Sequence, residues 1–167
     1  AERRKFIDIL LSQINIRYMK QLQEFYRILK QRNSILSDRQ YSFNQTVRFI
    51  EPWDISIVEK GSHIIWERML FVNEFKDILK DIYSQISTTN EELGLQYNSK
   101  IQGKSLEEIV ANYEALLRSS KKSEIEQGKT TLGPHRDDLI FEVNNNDLRK
   151  FGSRGQHKTV LLSLMIS

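Results

Sequence analysis

The chain has 167 residues, of which 28% are charged and 39% hydrophobic, with seven glycines, two prolines and no cysteine. This length is that of about one domain. The lack of cysteine excludes a disulfide framework, a thiolate metal site and a cysteine nucleophile. No apolar run approaches the ~18 residues of a bilayer span, and the first residues, AERRK, lack the apolar core of a signal peptide. We therefore expect a cytoplasmic protein without membrane contact, and one that is mostly helical because glycine and proline are scarce.

The net charge of +3 is distributed unevenly along the chain. Residues 1–37 carry eight Lys/Arg against three Asp/Glu, and residues 145–159 carry four against one, whereas residues 38–144 carry thirteen against eighteen. Basic clusters can act as local footprints for nucleic acid even when the whole chain is nearly neutral. For residues 1–37, the alternative is an ordinary solvated helix face.

Two long amphipathic helices are predicted in the first half of the chain. The first runs from about 3 to 37, with an apolar stripe of Leu11, Tyr18, Leu22, Phe25, Leu29 and Leu36 that Asn15 and Arg32 interrupt. Residues 37–51 are predicted to be a polar connection, after which Pro52 opens the second helix and Ser87–Asn90 ends it. A helix this long needs a partner to bury its stripe, so we expect an antiparallel helical arm in which Gly61 is the weak point.

The second half of the chain changes character and predicts a small β part. Alternating apolar residues indicate strands at 93–97 and 139–143, and the Ser105-x-x-Glu108 capping box predicts a helix over 106–118. Residues 119–127 are read as a charged helix or linker. Asn144–Asp147 is typical of a turn, so a strand over 147–151 would complete a hairpin with 139–143. The fold class is therefore mostly α with a small β part.

Two short motifs invite a chemical reading that we reject. Gly128-Lys129-Thr130 lacks the upstream glycine of a phosphate loop, since Ser123 occupies that place, and it is predicted to be a turn between a helix and a strand. The run His135–Asp138 pairs two carboxylates with a histidine, as a metal site would. The adjacent Arg136 favours a structural ion-pair network or a cap at the start of a strand, so no metal is predicted.

The turn at Gly152–Gln156 is the better candidate for chemistry. It follows a predicted strand and precedes a helix, which would free backbone N–H groups at an uncapped helix N-terminus that favours an anion. Ser153 adds a hydroxyl, while Arg154, His157 and Lys158 make the field positive. The alternative is an ordinary connection between a strand and a helix.

The two ends of the chain lead to a separate expectation. The apolar residues 159–166 stop without a helix cap, and the chain has no initiator Met, so we expect a piece of a longer protein whose missing parts cover this end.

Several motifs in this order resemble the RecF family of bacterial DNA-repair ATPases, which are related to the SMC proteins and ABC cassettes. The similarity is densest near the C-terminus, in Gly133–Leu139, Phe151–Gln156 and Thr159–Leu164. Earlier segments with the same resemblance are Arg3–Asp8, Leu29–Asn33, Trp53-Asp54, Gly61, Ile64 and Arg68. The resemblance therefore touches nearly the whole chain.

The resemblance implies a long antiparallel helical arm over 1–90, a small lid subdomain over 91–130, and a β-hairpin with a signature-motif helix over 131–167 that returns to an ABC-type ATPase head. In ABC-type ATPases the signature motif of one subunit contacts the γ-phosphate of ATP bound to the other. By this resemblance Ser153, Gly155 and Gln156 occupy the signature positions. Arg154 replaces the family's usual Gln and would be an additional phosphate contact.

Further expectations follow from the same resemblance. The whole protein would form an ATP-dependent homodimer with Mg²⁺, bind DNA at single-strand/double-strand junctions, and act with RecR- and RecO-type partners. Neither Walker motif occurs in this chain, so it has no catalytic residue and should not hydrolyse ATP alone. The charge excess predicts DNA phosphate contacts at Arg3, Arg4, Lys5, Arg17, Lys20, Arg27 and Lys30. The rival hypothesis is a non-enzymatic helical module that docks a partner protein and never meets nucleotide.

Overall fold

The computed structural model describes residues 2–166, which form six helices and three strands. The helices are α1 (Glu2–Ile14), α2 (Ile16–Ser37), α3 (Phe43–Ile86), α4 (Leu106–Gln127), α5 (Leu148–Phe151) and α6 (Arg154–Ile166). The strands are β1 (Leu93–Asn98), β2 (Asp138–Val143) and β3 (Asn146–Asp147). The prediction of a mostly helical chain with a small β part is confirmed. Across the described residues, none of the helices combines the length and the apolar character that a bilayer crossing needs.

The long helix predicted over 3–37 is wrong at one position, Asn15, where the structure has two helices. Asn15 has an extended backbone, and its Oδ1 accepts hydrogen bonds from the N–H groups of Arg17 at 3.0 Å and Tyr18 at 3.1 Å. A short amide side chain can satisfy the first N–H groups of a helix in this way, so it favours a new start over continuation. The buried Tyr18 hydroxyl donates to the Asp8 carboxylate, which ties α1 to the start of α2.

Helices α2 and α3 run antiparallel, as predicted for the arm. Lys60 pairs with Glu24 at 3.2 Å, and Arg32 pairs with Asp54 at 2.8 Å. The higher-numbered residue of α2 thus contacts the lower-numbered residue of α3, as an antiparallel pair requires. Gly61 directly follows Lys60 on α3, and a Cβ there would lie 2.7 Å from the Tyr113 ring and 3.2 Å from the Phe25 ring. Gly61 is thus a point of close helix contact, and α3 continues through it without a break. That Gly61 is the weak point of the arm stays a prediction.

Helix α3 begins at Phe43, so the prediction that Pro52 opens it is wrong. Ser42 and Gln45 form a capping box, in which the Ser42 N–H donates to Gln45 Oε1 at 2.9 Å and the Gln45 N–H donates to Ser42 Oγ at 3.4 Å. Pro52 lies inside the helix and removes the donor for the carbonyl of Arg48. Both residues are exposed, so water can replace the missing donor and the helix continues.

Helix α4 starts as the sequence predicted and runs further. Ser105 Oγ accepts from the Glu108 N–H at 3.3 Å, while the Glu108 carboxylate accepts from the Lys104 N–H at 2.7 Å. The charged residues 119–127 continue the helix to Gln127. It ends at Gly128, whose φ of 67° is the left-handed conformation that glycine adopts without steric cost.

The sheet is antiparallel, and its main partner strands are far apart in sequence. β1 pairs with β2 over six positions, from Leu93↔Val143 to Asn98↔Asp138. The hairpin turn is confirmed, since Asn144 and Asn145 have φ of 50° and 62°, as a two-residue turn of this kind requires. The strand predicted over 147–151 is wrong beyond β3, because the Asp147 carboxylate accepts from the Arg149 N–H at 2.8 Å and starts α5.

The described residues group into two compact units. The helical unit comprises residues 2–67 and 99–137, and the sheet unit comprises residues 68–98 and 138–166. Buried residues of the helical unit include Phe25, Ile28, Ile50, Ile57, Ile64, Ile109, Tyr113 and Leu117. Those of the sheet unit include Val72, Phe75, Leu79, Tyr83, Leu93, Leu95, Leu139, Phe141, Val143, Leu148 and Val160. The predicted division into 1–90, 91–130 and 131–167 is consecutive whereas these units are interleaved, and it stays a prediction.

Candidate functional site

The 152–156 turn of the sheet unit joins α5 to α6. Gly152 donates its N–H to the Leu148 carbonyl at 2.9 Å. A Cβ at Gly152 would lie 2.4 Å from that carbonyl oxygen and 2.8 Å from the His157 ring, so the fold itself requires glycine here. The turn is therefore tight, and it leads directly into the first residue of α6, Arg154.

Ser153 and Gln156 cap the start of α6, which corrects the prediction of an uncapped helix end. The Gln156 N–H donates to Ser153 Oγ at 3.1 Å, and the Ser153 N–H donates to Gln156 Oε1 at 2.7 Å. This reciprocal pair is a capping box with Gln in the third helical position. Two of the three residues that the resemblance assigns to the signature motif thus hold each other, and both keep polar atoms at the turn.

Gly155 lies at the exposed side of the same turn. A Cβ added there would meet only Ser153 Oγ, at 3.7 Å, which is an ordinary contact distance. Its φ lies outside the left-handed range that favours glycine. Since glycine in a helix costs about 1 kcal/mol relative to alanine, nothing within the described chain accounts for glycine here. A requirement for glycine would have to come from a group that approaches the turn from outside.

The charge around the turn is mostly positive, and one carboxylate accepts a hydrogen bond from the turn. The side chains of Arg154, His157 and Lys158 are exposed, and His157 Nδ1 lies 2.8 Å from the Ser153 carbonyl oxygen. The Glu91 carboxylate accepts from Gln156 Nε2 at 2.8 Å and from the Tyr83 hydroxyl at 3.0 Å. Hydrogen bonds from Gln156, Thr89 and Tyr83 lower the pKa of Glu91 below its ordinary value. Sequence reasoning missed Glu91, which lies in the α3–β1 connection with no local signal to mark it.

A groove of about 210 Å³ lies beside the turn within the sheet unit. Its lining is rich in hydroxyl groups and consists of Ile86, Ser87, Thr88, Thr89, Glu91, Ser153, Gly155, Gln156 and Thr159. The first turn of α6 and the end of α3 therefore form one polar concavity. Hydroxyls, amides and free helix N–H groups suit a ligand with many acceptor oxygens.

The basic residues predicted to contact DNA all belong to the helical unit. Arg17, Lys20, Arg27 and Lys30 are exposed on α2, and helical geometry places Arg17, Lys20 and Arg27 within about 80° of one another. The residues on α1 differ, because Arg4 is half-buried and donates to the Asp137 carbonyl, and Lys5 lies 3.3 Å from Glu2. Arg3 is also half-buried on α1. The α2 group is thus the more accessible part of the predicted set.

A buried ionic cluster in the helical unit was not predicted. Arg32, which interrupts the apolar stripe, is fully buried and lies 2.8 Å from Asp54 and 2.8 Å from Glu124. It also donates to Thr130 Oγ1 at 2.7 Å, while the second Asp54 oxygen lies 2.8 Å from Lys121. The cluster joins α2, α3, α4 and the chain after α4, and its Arg32–Glu124 pair is shielded from water.

The two rejected motifs lie beside this cluster. Gly128 ends α4, and the Thr130 N–H and hydroxyl both donate to Asn33 Oδ1 at 2.7 Å, so the predicted turn is confirmed. Burial lowers the pKa of His135 to about 4, and Arg136 donates to the Thr130 carbonyl at 3.1 Å. Among residues 2–166, no three His, Asp or Glu side chains are arranged to hold a metal ion. The absence of a metal stays a prediction.

Known proteins are similar to this chain in sequence over its whole length. No family model matches the chain. It is 39% identical over 167 residues to the DNA replication and repair protein RecF of Agathobacter rectalis, and 32% identical over 170 residues to that of Pediococcus pentosaceus. Each match covers 100% of this chain.

Solved structures give the same result. The structure of the recombination mediator protein RecF-ATP in the RecFOR pathway matches 99% of this chain with a TM-score of 0.82 and 27% identity. The chain spans 44% to 46% of the length of the two curated relatives described above and 44% of the length of that solved chain. The chain therefore matches part of RecF proteins, in sequence over its whole length and in fold over nearly all of it.

Proposed function

We propose that this chain is the helical-arm and signature-motif part of a RecF-type recombination mediator that acts in DNA repair and replication. The observation that carries the proposal is the 152–156 turn, in which Ser153 and Gln156 hold each other at the start of α6, in a chain that matches RecF proteins along its whole length. The intact protein would dimerise on ATP, bind DNA near single-strand/double-strand junctions, and help load recombinase with RecR- and RecO-type partners. It would act in the bacterial cytoplasm.

The 152–156 turn suits a phosphate group from a second subunit. The first N–H groups of a helix have no partner within it, and in α6 those of Gln156 and His157 already donate to Ser153. The N–H groups of Arg154 and Gly155 remain for a ligand, and the open side of Gly155 lets it approach closely. Arg154 and Lys158 add positive charge.

ATP closure of a dimer would then be mainly electrostatic. The signature turn would stabilise charge on the transferred phosphoryl group, and Mg²⁺ would neutralise phosphate oxygens when bound. The Walker loops are not in this chain, so we expect the 167 residues alone to show no ATP hydrolysis. The chain's own contribution is to present Ser153, the Gly155 backbone and Arg154 to nucleotide held by the other subunit.

Substitution of Ser153 by arginine in the intact protein is expected to abolish ATP-dependent dimerisation. The larger cation would fill the space that a phosphate needs and remove the cap of α6. Dimer formation is measured by analytical ultracentrifugation at increasing ATP concentration. Ser84→Arg is the matched control, because Ser84 is exposed on α3 in the same unit and should leave dimerisation intact. Unchanged dimerisation in Ser153→Arg would favour a non-enzymatic helical interaction module.

We propose that the exposed basic face of α2 contacts DNA phosphates. Arg27→Glu combined with Lys30→Glu in the intact protein should weaken DNA binding by about tenfold or more. The slope of log affinity against log salt concentration should also become shallower, by about 0.9 for each DNA phosphate that the variant no longer neutralises. Fluorescence anisotropy with a gapped duplex measures both quantities.

The control for this charge reversal lies in the same unit. Lys100 and Lys104 are exposed, and their double reversal to glutamate makes the same change in net charge. If the two double variants lose the same affinity, the effect is one of total charge and the assignment to α2 is wrong. Unchanged binding after reversal of Arg27 and Lys30 would also contradict it.

A further inference from the structure

We infer that Glu91 is a positioning residue for the 152–156 turn, holding the Gln156 amide and through it Ser153 in the conformation that an incoming phosphate meets. This inference rests on the proposed function, because it assigns a role in ATP-dependent dimerisation to a residue outside the signature motif. Glu91 is carried by the connection between α3 and β1, 65 positions before Gln156.

The hydrogen bonds of Gln156 allow only one orientation of its amide. Its Oε1 accepts from the Ser153 N–H at 2.7 Å, and its Nε2 donates to Glu91 at 2.8 Å. A flipped amide would place its NH₂ against the Ser153 N–H and its oxygen against the Glu91 carboxylate, which would be repulsive at both ends. Glu91 therefore selects the orientation in which Gln156 accepts from Ser153.

The selected orientation also determines where Ser153 lies. Ser153 is joined to Gln156 by two hydrogen bonds, one through its own N–H and one through its Oγ, which accepts from the Gln156 N–H at 3.1 Å. The Ser153 Oγ is therefore restrained, while the proton of that hydroxyl remains available to donate to a ligand. Preorganised donors are more effective than donors that a ligand must order.

Glu91 is itself held in place by the body of the sheet unit. Tyr83, which is 1% exposed in the last turn of α3, donates its hydroxyl to the second Glu91 oxygen at 3.0 Å. The carboxylate thus accepts from a rigid core residue on one side and from the 152–156 turn on the other. A carboxylate beside a proposed phosphate site repels the phosphate. The contribution of Glu91 to ATP-dependent dimerisation must therefore come from the orientation that it imposes on Gln156.

The experiment separates geometry from charge with two substitutions in the intact protein. Glu91→Ala removes the acceptor and is expected to raise the ATP concentration for half-maximal dimerisation by about tenfold, the scale of a hydrogen bond to a charged group. Glu91→Gln keeps an acceptor oxygen for Gln156 while removing the charge, so it should stay within about twofold of the unsubstituted protein. Glu92→Ala is the matched control, since Glu92 is the exposed neighbour with its side chain toward Lys80. All three variants should still unfold cooperatively on heating without ATP, which shows that they remain folded.

A double-substitution cycle tests whether Glu91 acts through Gln156. In a Gln156→Ala background, Glu91→Ala should cause no further loss of dimerisation. A full additional loss in that background would overturn the inference, as would equal effects of Glu91→Ala and Glu91→Gln or of Glu91→Ala and Glu92→Ala. Ser153→Arg separates failure of the proposed function from failure of the role assigned to Glu91. If it leaves dimerisation intact, the proposed function fails; if it abolishes dimerisation while Glu91→Ala does not weaken it, only the role of Glu91 fails.

Discussion

Replacing Arg32 by methionine is expected to lower the free energy of unfolding by about 3–5 kcal/mol, the usual cost of removing one partner from a buried ion pair. Arg32 is fully buried between Asp54 and Glu124, each 2.8 Å away. Methionine preserves most of the side-chain volume but leaves the fully buried Glu124 carboxylate without its cation. The Thr130 hydroxyl also loses the hydrogen bond that Arg32 donates. Urea unfolding followed by far-ultraviolet circular dichroism measures the change.

The control for Arg32 is Arg39, an exposed arginine after α2 with a long contact of 3.5 Å to the Glu126 carbonyl. Arg39→Met should change the free energy of unfolding by less than about 0.5 kcal/mol, as is usual for surface positions. Equal effects of the two substitutions would mean that the buried cluster adds nothing beyond an ordinary surface charge. Such a result would contradict the role assigned to Arg32.

The second large effect is expected at Gly133, where alanine should destabilise the chain by about 3 kcal/mol through backbone strain and overpacking. Gly133 has a φ of 123°, and a Cβ there would lie 2.3 Å from the Tyr113 hydroxyl. Tyr113 cannot move aside easily, since it is fully buried and donates to the Leu132 carbonyl at 3.2 Å. Burial also raises the pKa of Tyr113, so the hydroxyl remains a donor across the physiological range.

Gly155→Ala is the matched comparison for Gly133→Ala. An alanine Cβ fits at Gly155, and alanine is the better helix former by about 1 kcal/mol, so the free energy of unfolding should stay the same or rise. The two substitutions thus separate a glycine that the fold requires from one that it does not. If Gly133→Ala proves as stable as Gly155→Ala, the close approach to Tyr113 is not a constraint.

Local signals in the sequence predicted the elements that depend on local chemistry. The capping box at Ser105 starts α4, and the consecutive asparagines Asn144 and Asn145 adopt the positive φ of a tight hairpin turn. Alternation of apolar residues located β1 and β2. These features succeed because each is determined by hydrogen bonds or backbone conformations within a few residues.

Competition between signals explains the elements that were wrong. The spacing of apolar residues predicted that the helix continues through Asn15. Its side chain instead caps the first turn of α2, and this cap together with the Tyr18–Asp8 hydrogen bond favours a break between α1 and α2. Pro52 is a common first helical residue, but the Ser42–Gln45 capping box starts α3 earlier. In each case a side chain that satisfies backbone N–H groups outweighed the pattern that the prediction followed.

The candidate site was predicted in part, for a physical reason. The 152–156 turn carries a contiguous motif, so Ser153, Gly155 and Gln156 could be named from the sequence. Glu91 could not, because its importance comes from a contact between residues 65 positions apart, and one acidic residue in a polar connection has no distinguishing pattern. Arg32 was missed because a cation within an apolar stripe gives no sign of the carboxylates that α3 and α4 bring to it.

The pairing of β1 with β2 has a kinetic consequence during synthesis. Their paired ends, Asn98 and Asp138, are separated in the chain by residues 99–137, all of which belong to the helical unit. At bacterial synthesis rates of about 20 residues per second, or as few as 5, β1 emerges from the ribosome about 2 to 8 s before its partner. A folded insert that brings its ends together lowers the entropy cost of closing this loop. We expect the helical unit to fold first and the sheet unit to be completed only after synthesis has passed β2.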